Sequence, residues 1–185
     1  MVLSENQMID LWLLRKGFEP LREDCRIERS DGADLRSLAR TECRLWYENL
    51  LLSAPREALV VNDCSADAVL ATTNSGSILL HLPADCVRVF DVKLRGWDSP
   101  ARIVPADSPE ARRQRNSYAA AGPARPVAVL NPDNTLELFS CTYSSDNSDT
   151  LQYLNCVCRP EHDEDAPPVY EFLEPALNLL PFTPL

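Results

Sequence analysis

Apolar positions recur at helical spacing through the N-terminal third of the chain and at a spacing of two through most of the remainder. Ser4 with Gln7 forms a capping-box signature, in which each side chain satisfies a backbone N–H at the helix start. Met8, Leu11, Trp12 and Arg15 follow at helical intervals, and Gly17 supplies a stop. A polar connector, 19–32, leads to a second predicted helix from Asp34 to Leu52. Its ridge is read as Leu35, Leu38, Glu42, Leu45 and Asn49, with Trp46 and Leu50 alongside. Ser53-Ala54-Pro55 ends it, because proline cannot continue the hydrogen-bond ladder.

Beyond Arg56 the pattern predicts strands at 58–61, 68–72, 77–82 and 87–94, with Thr73-Asn74-Ser75-Gly76 as a hairpin turn. Phe90 to Arg95 alternates cleanly, so one face is buried and the other wet. The apolar pair Val89-Phe90 breaks that phase and predicts a bulge. Ser108-Pro109-Glu110 starts a short inserted helix running to about Tyr118. Strands at 126–130 and 135–141 follow, joined by the turn Asn131-Pro132-Asp133-Asn134. A last strand covers 150–158, an acidic linker 162–168, and an apolar tail 169–180 predicts one or two helical turns broken at Pro175. The fold class is therefore α+β. N-terminal helices pack with a mainly antiparallel sheet or small β-sandwich, with one inserted short helix and a short C-terminal helical tail. In ranges these are a helical region at 1–55, a β-rich core at 56–160 with its inserted helix near 109–118, and a linker and tail at 161–185, read as one compact unit.

With 185 residues, 45% hydrophobic and 25% charged, the chain can bury a core. Its net charge of −10 opposes sequence-independent binding to nucleic acid, whose phosphates it repels. The acidity is local: from Asn116 on, two arginines stand against ten acids, a formal −8. The seven cysteines are an odd number and mostly far apart, and the opening Met1–Asp10 lacks the basic start of a secretory leader. A reducing cytoplasm with thiols buried as small hydrophobes is the expectation, and no apolar run is long enough to span a bilayer.

Candidate chemistry is sparse. Cys141, Cys156, Cys158 and His162 are zinc-type ligands, but alternate residues of one strand stand roughly 7 Å apart by strand rise, wide for a tetrahedral pair. Buried thiols are the preferred reading. The other histidine, His81, sits in an apolar strand, so no Ser or Cys is paired with a base by spacing. Glu161, Asp163, Glu164 and Asp165 lack the spacing and central glycine of a calcium loop, and the five glycines form no phosphate loop. Arg112, Arg113 and Arg115 read as a solvated helix face or a contact for an acidic partner. No catalytic residue, cofactor or metal is assigned. The chain reads as a building block, not an enzyme.

Several elements together resemble a known family. The helical region ends in Leu45-Trp46-Tyr47 and Leu50-Leu51-Leu52. A strand ends in Leu82-Pro83-Ala84-Asp85, and the next begins with Arg88-Val89. Then come the Ser-Pro-Glu helix, Gly122-Pro123 leading through Pro126-Val127 into a strand, and a hairpin ending in Leu136-Glu137-Leu138. This arrangement, over roughly Ser4 to Leu180, resembles the head–tail connector (adaptor) proteins of tailed bacteriophages. Only two clear helices precede the sheet, fewer than the long bundle of some connector families.

The resemblance implies a virion subunit at the head–tail junction, made in the bacterial host cytoplasm. Its partners are copies of itself in a ring, a dodecamer matching the portal, together with the portal protein and tail proteins. DNA passes through the lumen without sequence-specific binding, which an acidic surface favours, and no membrane is involved. The alternative function is a small acidic intracellular module, immunity-like, that captures a basic protein partner through acids such as Asp163, Glu164 and Asp165.

Overall fold

The structure, a computed structural model, describes residues 1–17, 34–73, 77–116, 118–139, 151–160 and 168–180. It has an α+β architecture and divides into two units. A helical unit combines Met1–Val60 with Pro160–Leu185, and a β unit comprises Val61–Arg159. No helix among the described residues is long and apolar enough to cross a membrane.

In the helical unit, strand β1 (Val2–Ser4) runs into helix α1 (Glu5–Arg15), and both halves of the predicted capping box form. Ser4 Oγ accepts the Gln7 N–H at 3.4 Å, and Gln7 Oε1 accepts the Ser4 N–H at 2.9 Å. Gly17 has a φ of +83°, the left-handed geometry that ends a helix at no steric cost. Helix α2 (Leu35–Ser53) is capped by Asp34, whose carboxylate accepts the Arg36 N–H.

The buried face of α2 differs from the expected ridge. Leu35, Ala39, Cys43, Tyr47, Leu50 and Leu51 turn inward, while Glu42, Leu45 and Asn49 are exposed. The leucines of α2 lie on two faces, so small and aromatic residues, Ala39, Cys43 and Tyr47, decide which one packs.

The C-terminal segment supplies β10 (Val169–Glu171), antiparallel to β1, and then a 3-10 helix at Glu174–Leu179. Pro175 lies at the start of that turn, where its missing N–H costs nothing, and does not break it. A 3-10 turn at Arg56–Ala58 also replaces the start of the strand expected at 58–61.

The β unit holds two sheets. One has the order β2 (Asn62–Asp63), β9 (Leu151–Cys158), β5 (Cys86–Leu94) and is antiparallel throughout. The other has the order β3 (Val69–Thr72), β4 (Ile78–His81), β8 (Thr135–Leu138), β7 (Val127–Leu130), β6 (Arg102–Pro105). There, β6 and β7 pair in parallel, and β6 was not expected from the pattern. Leu70, Ile78, Leu80, Ala128, Leu136 and Leu138 of this sheet share a core with Val92, Leu94, Leu154 and Cys156 of the first, closing a small sandwich.

The phase break at Val89-Phe90 is an irregularity in the β5–β9 register, between Val89 and Asp91. The β7–β8 hairpin turns through Asn134, whose φ of +59° a short polar side chain tolerates. Helix α3 (Pro109–Gln114) is shorter than predicted. Its Ala111 packs with Val104, Val129 and Phe139 in a second, smaller core.

Candidate functional site

Three regions carry the residues singled out by the sequence. The first lies in the β unit, where cysteines from three segments converge. Cys64 follows β2, and its N–H donates to the Leu154 carbonyl at 2.8 Å. Asp63 fixes the same corner, its Oδ1 accepting the N–H of Ser65 at 3.0 Å and of Leu154 at 3.1 Å. Burial raises the Asp63 carboxyl, but the Leu154 and Ser65 N–H donors, with the Ser65 side chain, outweigh it, and the net shift is downward.

Cys156 and Cys158 lie on one side of β9. Their sulfurs are 3.8 Å apart, and the Cys158 sulfur is 3.5 Å from that of Cys64. The sulfurs of Cys64 and Cys156 are paired with each other. Strand rise therefore does not hold Cys156 and Cys158 apart, because it measures distance along the backbone while the side chains lean together. Nor is Cys156 the buried free thiol that was expected.

Cys86, the first residue of β5, is the register partner of Cys158. Burial first, then Asp85, pushes the Cys86 thiol up to about 11 and the Cys158 thiol up to about 12. Thiols so raised stay protonated near neutrality and make poor nucleophiles. Cys141 and His162, the other candidate zinc ligands, lie outside the described residues, as do Glu161, Asp163, Glu164 and Asp165. Cys64 was missed as a member of the cluster, and Cys86 as the neighbour of Cys158 across the ladder. Neither has a spacing signal: Cys64 follows the two-residue β2, and Cys86 opens β5.

The second region is α3. Ala111 and Gln114 face inward, while Arg112, Arg113 and Arg115 are exposed. Arg115 approaches Glu137 at 3.9 Å, and Glu137 accepts the Ser77 hydroxyl at 2.9 Å. Beyond the helix, Tyr118 is 99% exposed. His81, at the exposed end of β4, faces Val69 and Thr135 across the ladders.

The third region is the outer surface of the helical unit. Leu45 and Leu52, seven residues apart on α2 and so on one side of it, are 57% and 58% exposed. Nearby, Trp46, Asn49, Leu50, Ser53, Ala54, Pro55 and Leu179 line a shallow depression. A second depression is lined by Arg15, Glu174, Pro175, Leu177 and Asn178, and the Arg15 guanidinium already donates to the Leu177 carbonyl. Neither depression contains a histidine or cysteine to form a nucleophile–base pair.

The chain matches no protein-family model and no curated protein.

Proposed function

We propose that the chain is a structural subunit of a tailed-phage head–tail junction, assembling with its own copies into a ring that engages the portal and lets DNA pass. The observation that carries this reading is the outer side of α2. Two large leucines stand in solvent on a helix whose opposite side is packed, a surface that another protein face would cover. The segments behind the family resemblance give further support. Leu82-Pro83-Ala84-Asp85 leaves β4 and turns into β5, Ser108 caps α3, and Gly122-Pro123 precedes β7. The net charge of −10 suits a lumen along which DNA slides without sticking. The alternative of an acidic capture module rests on Asp163, Glu164 and Asp165, outside the described residues, and no described feature favours it.

The test is negative-stain electron microscopy of the purified chain, alone and with a portal ring. Rings, or a collar on the portal, are the expected images. The double variant Leu45→Glu, Leu52→Glu should remove them while leaving helical circular dichroism intact, since both side chains are exposed. A parent chain that stays monomeric and ignores the portal would contradict the reading.

A further inference from the structure

The geometry points to a structural zinc centre in the β unit, held by Cys64, Cys86, Cys156 and Cys158. With Zn–S bonds of about 2.3 Å, the edges of a tetrahedral thiolate centre are about 3.8 Å. The Cys158 sulfur lies 3.5 Å from Cys64 and 3.8 Å from Cys156, and all three sulfurs lie within 4.8 Å of one another. A disulfide between Cys64 and Cys156 would use two of them and give the third no role. Three convergent sulfurs are one vertex short of a closed site. Cys86, the register partner of Cys158 across the ladder, is the fourth.

The setting fits a structural ion. Cys64 and Cys156 belong to the sandwich core, with Cys86 and Cys158 packed against it. Backbone bonds fix the surrounding segments: Cys64 N–H to Leu154, Cys86 N–H to Pro83, and Arg159 N–H to Asp85. Four soft thiolates with no position left open select zinc as a closed structural site and leave no room for metal-bound water. The ion would tie the corner after β2, the start of β5 and the end of β9 into one knot. Binding starts from the reduced chain: four S–H bonds release their protons to solvent, four Zn–S bonds form, and nothing is oxidised. Zinc binding at this corner is independent of ring assembly.

The test uses the full chain, reduced and stripped of metal, titrated with Co²⁺ alone. Expected are sulfur-to-cobalt charge-transfer bands and intense tetrahedral d–d bands, saturating at about one ion per chain and erased by Zn²⁺. Cys158→Ser and Cys86→Ser should each lose the tetrahedral spectrum, while Cys43→Ser, in the helical unit, should keep it. Absence of thiolate bands in the reduced parent chain overturns the proposal. So does a Cys64–Cys156 disulfide found by mass spectrometry in chain made in a reducing cytoplasm with zinc supplied. Both readouts use the parent chain and stand whether or not a variant folds. Loss of the spectrum in Cys141→Ser with retention in Cys86→Ser overturns the fourth ligand.

Discussion

The helical unit closes through polar and aromatic contacts between distant segments of the chain, whereas the β unit closes through strand ladders around an aliphatic core. In the first, the Met1 ammonium donates to the Phe172 carbonyl at 2.8 Å, and Trp46 Nε1 donates to Leu179 at 3.2 Å. The Tyr47 hydroxyl both donates to the Glu171 carbonyl and accepts its N–H, each at 3.1 Å. Edge-on ring pairs, Tyr47–Tyr170 and Trp46–Phe172, fill the space between. Glu5 accepts from Arg40 at 3.1 Å and from Arg44 at 2.7 Å, joining α1 to α2. The β unit relies instead on Leu80, Leu136, Leu138 and Leu154, none of which reaches solvent. One unit thus adds long-range polar and aromatic pairs to its apolar packing, while the other rests on volume that must be filled.

Substitutions can break this contrast, and the largest effects belong to fully buried side chains. Phe172→Ala should destabilise the helical unit by about 4 kcal/mol, removing a ring and its partner for Trp46. Leu136→Ala should cost the β unit about 3 kcal/mol through the cavity it leaves. Separate denaturation transitions for the two units, each shifted by one variant only, would sharpen the division. A single transition shifted equally by both would erase it.

Glu5→Ala comes next, at about 2 kcal/mol in the helical unit, because it strands two arginines that share one carboxylate; their partial exposure keeps the cost below that of a buried pair. Asp63→Ala should cost the β unit about 1 kcal/mol by freeing the Ser65 and Leu154 N–H groups. Because the folded Asp63 carboxyl titrates low, its contribution is whole at neutral pH and fades as pH falls through the carboxylate range. Denaturant midpoints measured against pH should show that fading in the parent and not in Asp63→Ala.

The remaining effect is alkaline. Burial, aided by Glu42 and Glu5, pushes the Cys43 thiol up from 9.0 to about 12. Below about pH 9 that group's contribution is complete. Between 9 and 12 the unfolded chain releases a proton that the folded chain keeps, so stability declines. Cys43→Ala should flatten that decline. In the helical unit Tyr170, raised by burial to about 12, and Tyr47, also raised by burial, contribute to the slope that remains.

Local signals were legible. The caps at Ser4 and Ser108, the stop at Gly17 and the bulge near Val89 each depend on a few neighbouring residues, and the alternation of two predicted most β-unit strands. What the chain concealed was non-local. Strand β1 exists only because Val2 meets Glu171, and β6 because Arg102 meets Val127 in parallel. The cysteine cluster joins residues 92 positions apart, which no spacing rule reaches. The α2 ridge was misjudged because apolar residues ring the helix, and its outward leucines are the ones on which the proposed assembly depends.

The most direct measurement is native mass spectrometry of the chain, alone and mixed with a portal ring. A ring subunit should give a closed assembly of many copies, or a portal complex carrying them, that dissociates when Leu45 and Leu52 become glutamate. A lone protomer at every concentration, unchanged by the portal, would contradict that role.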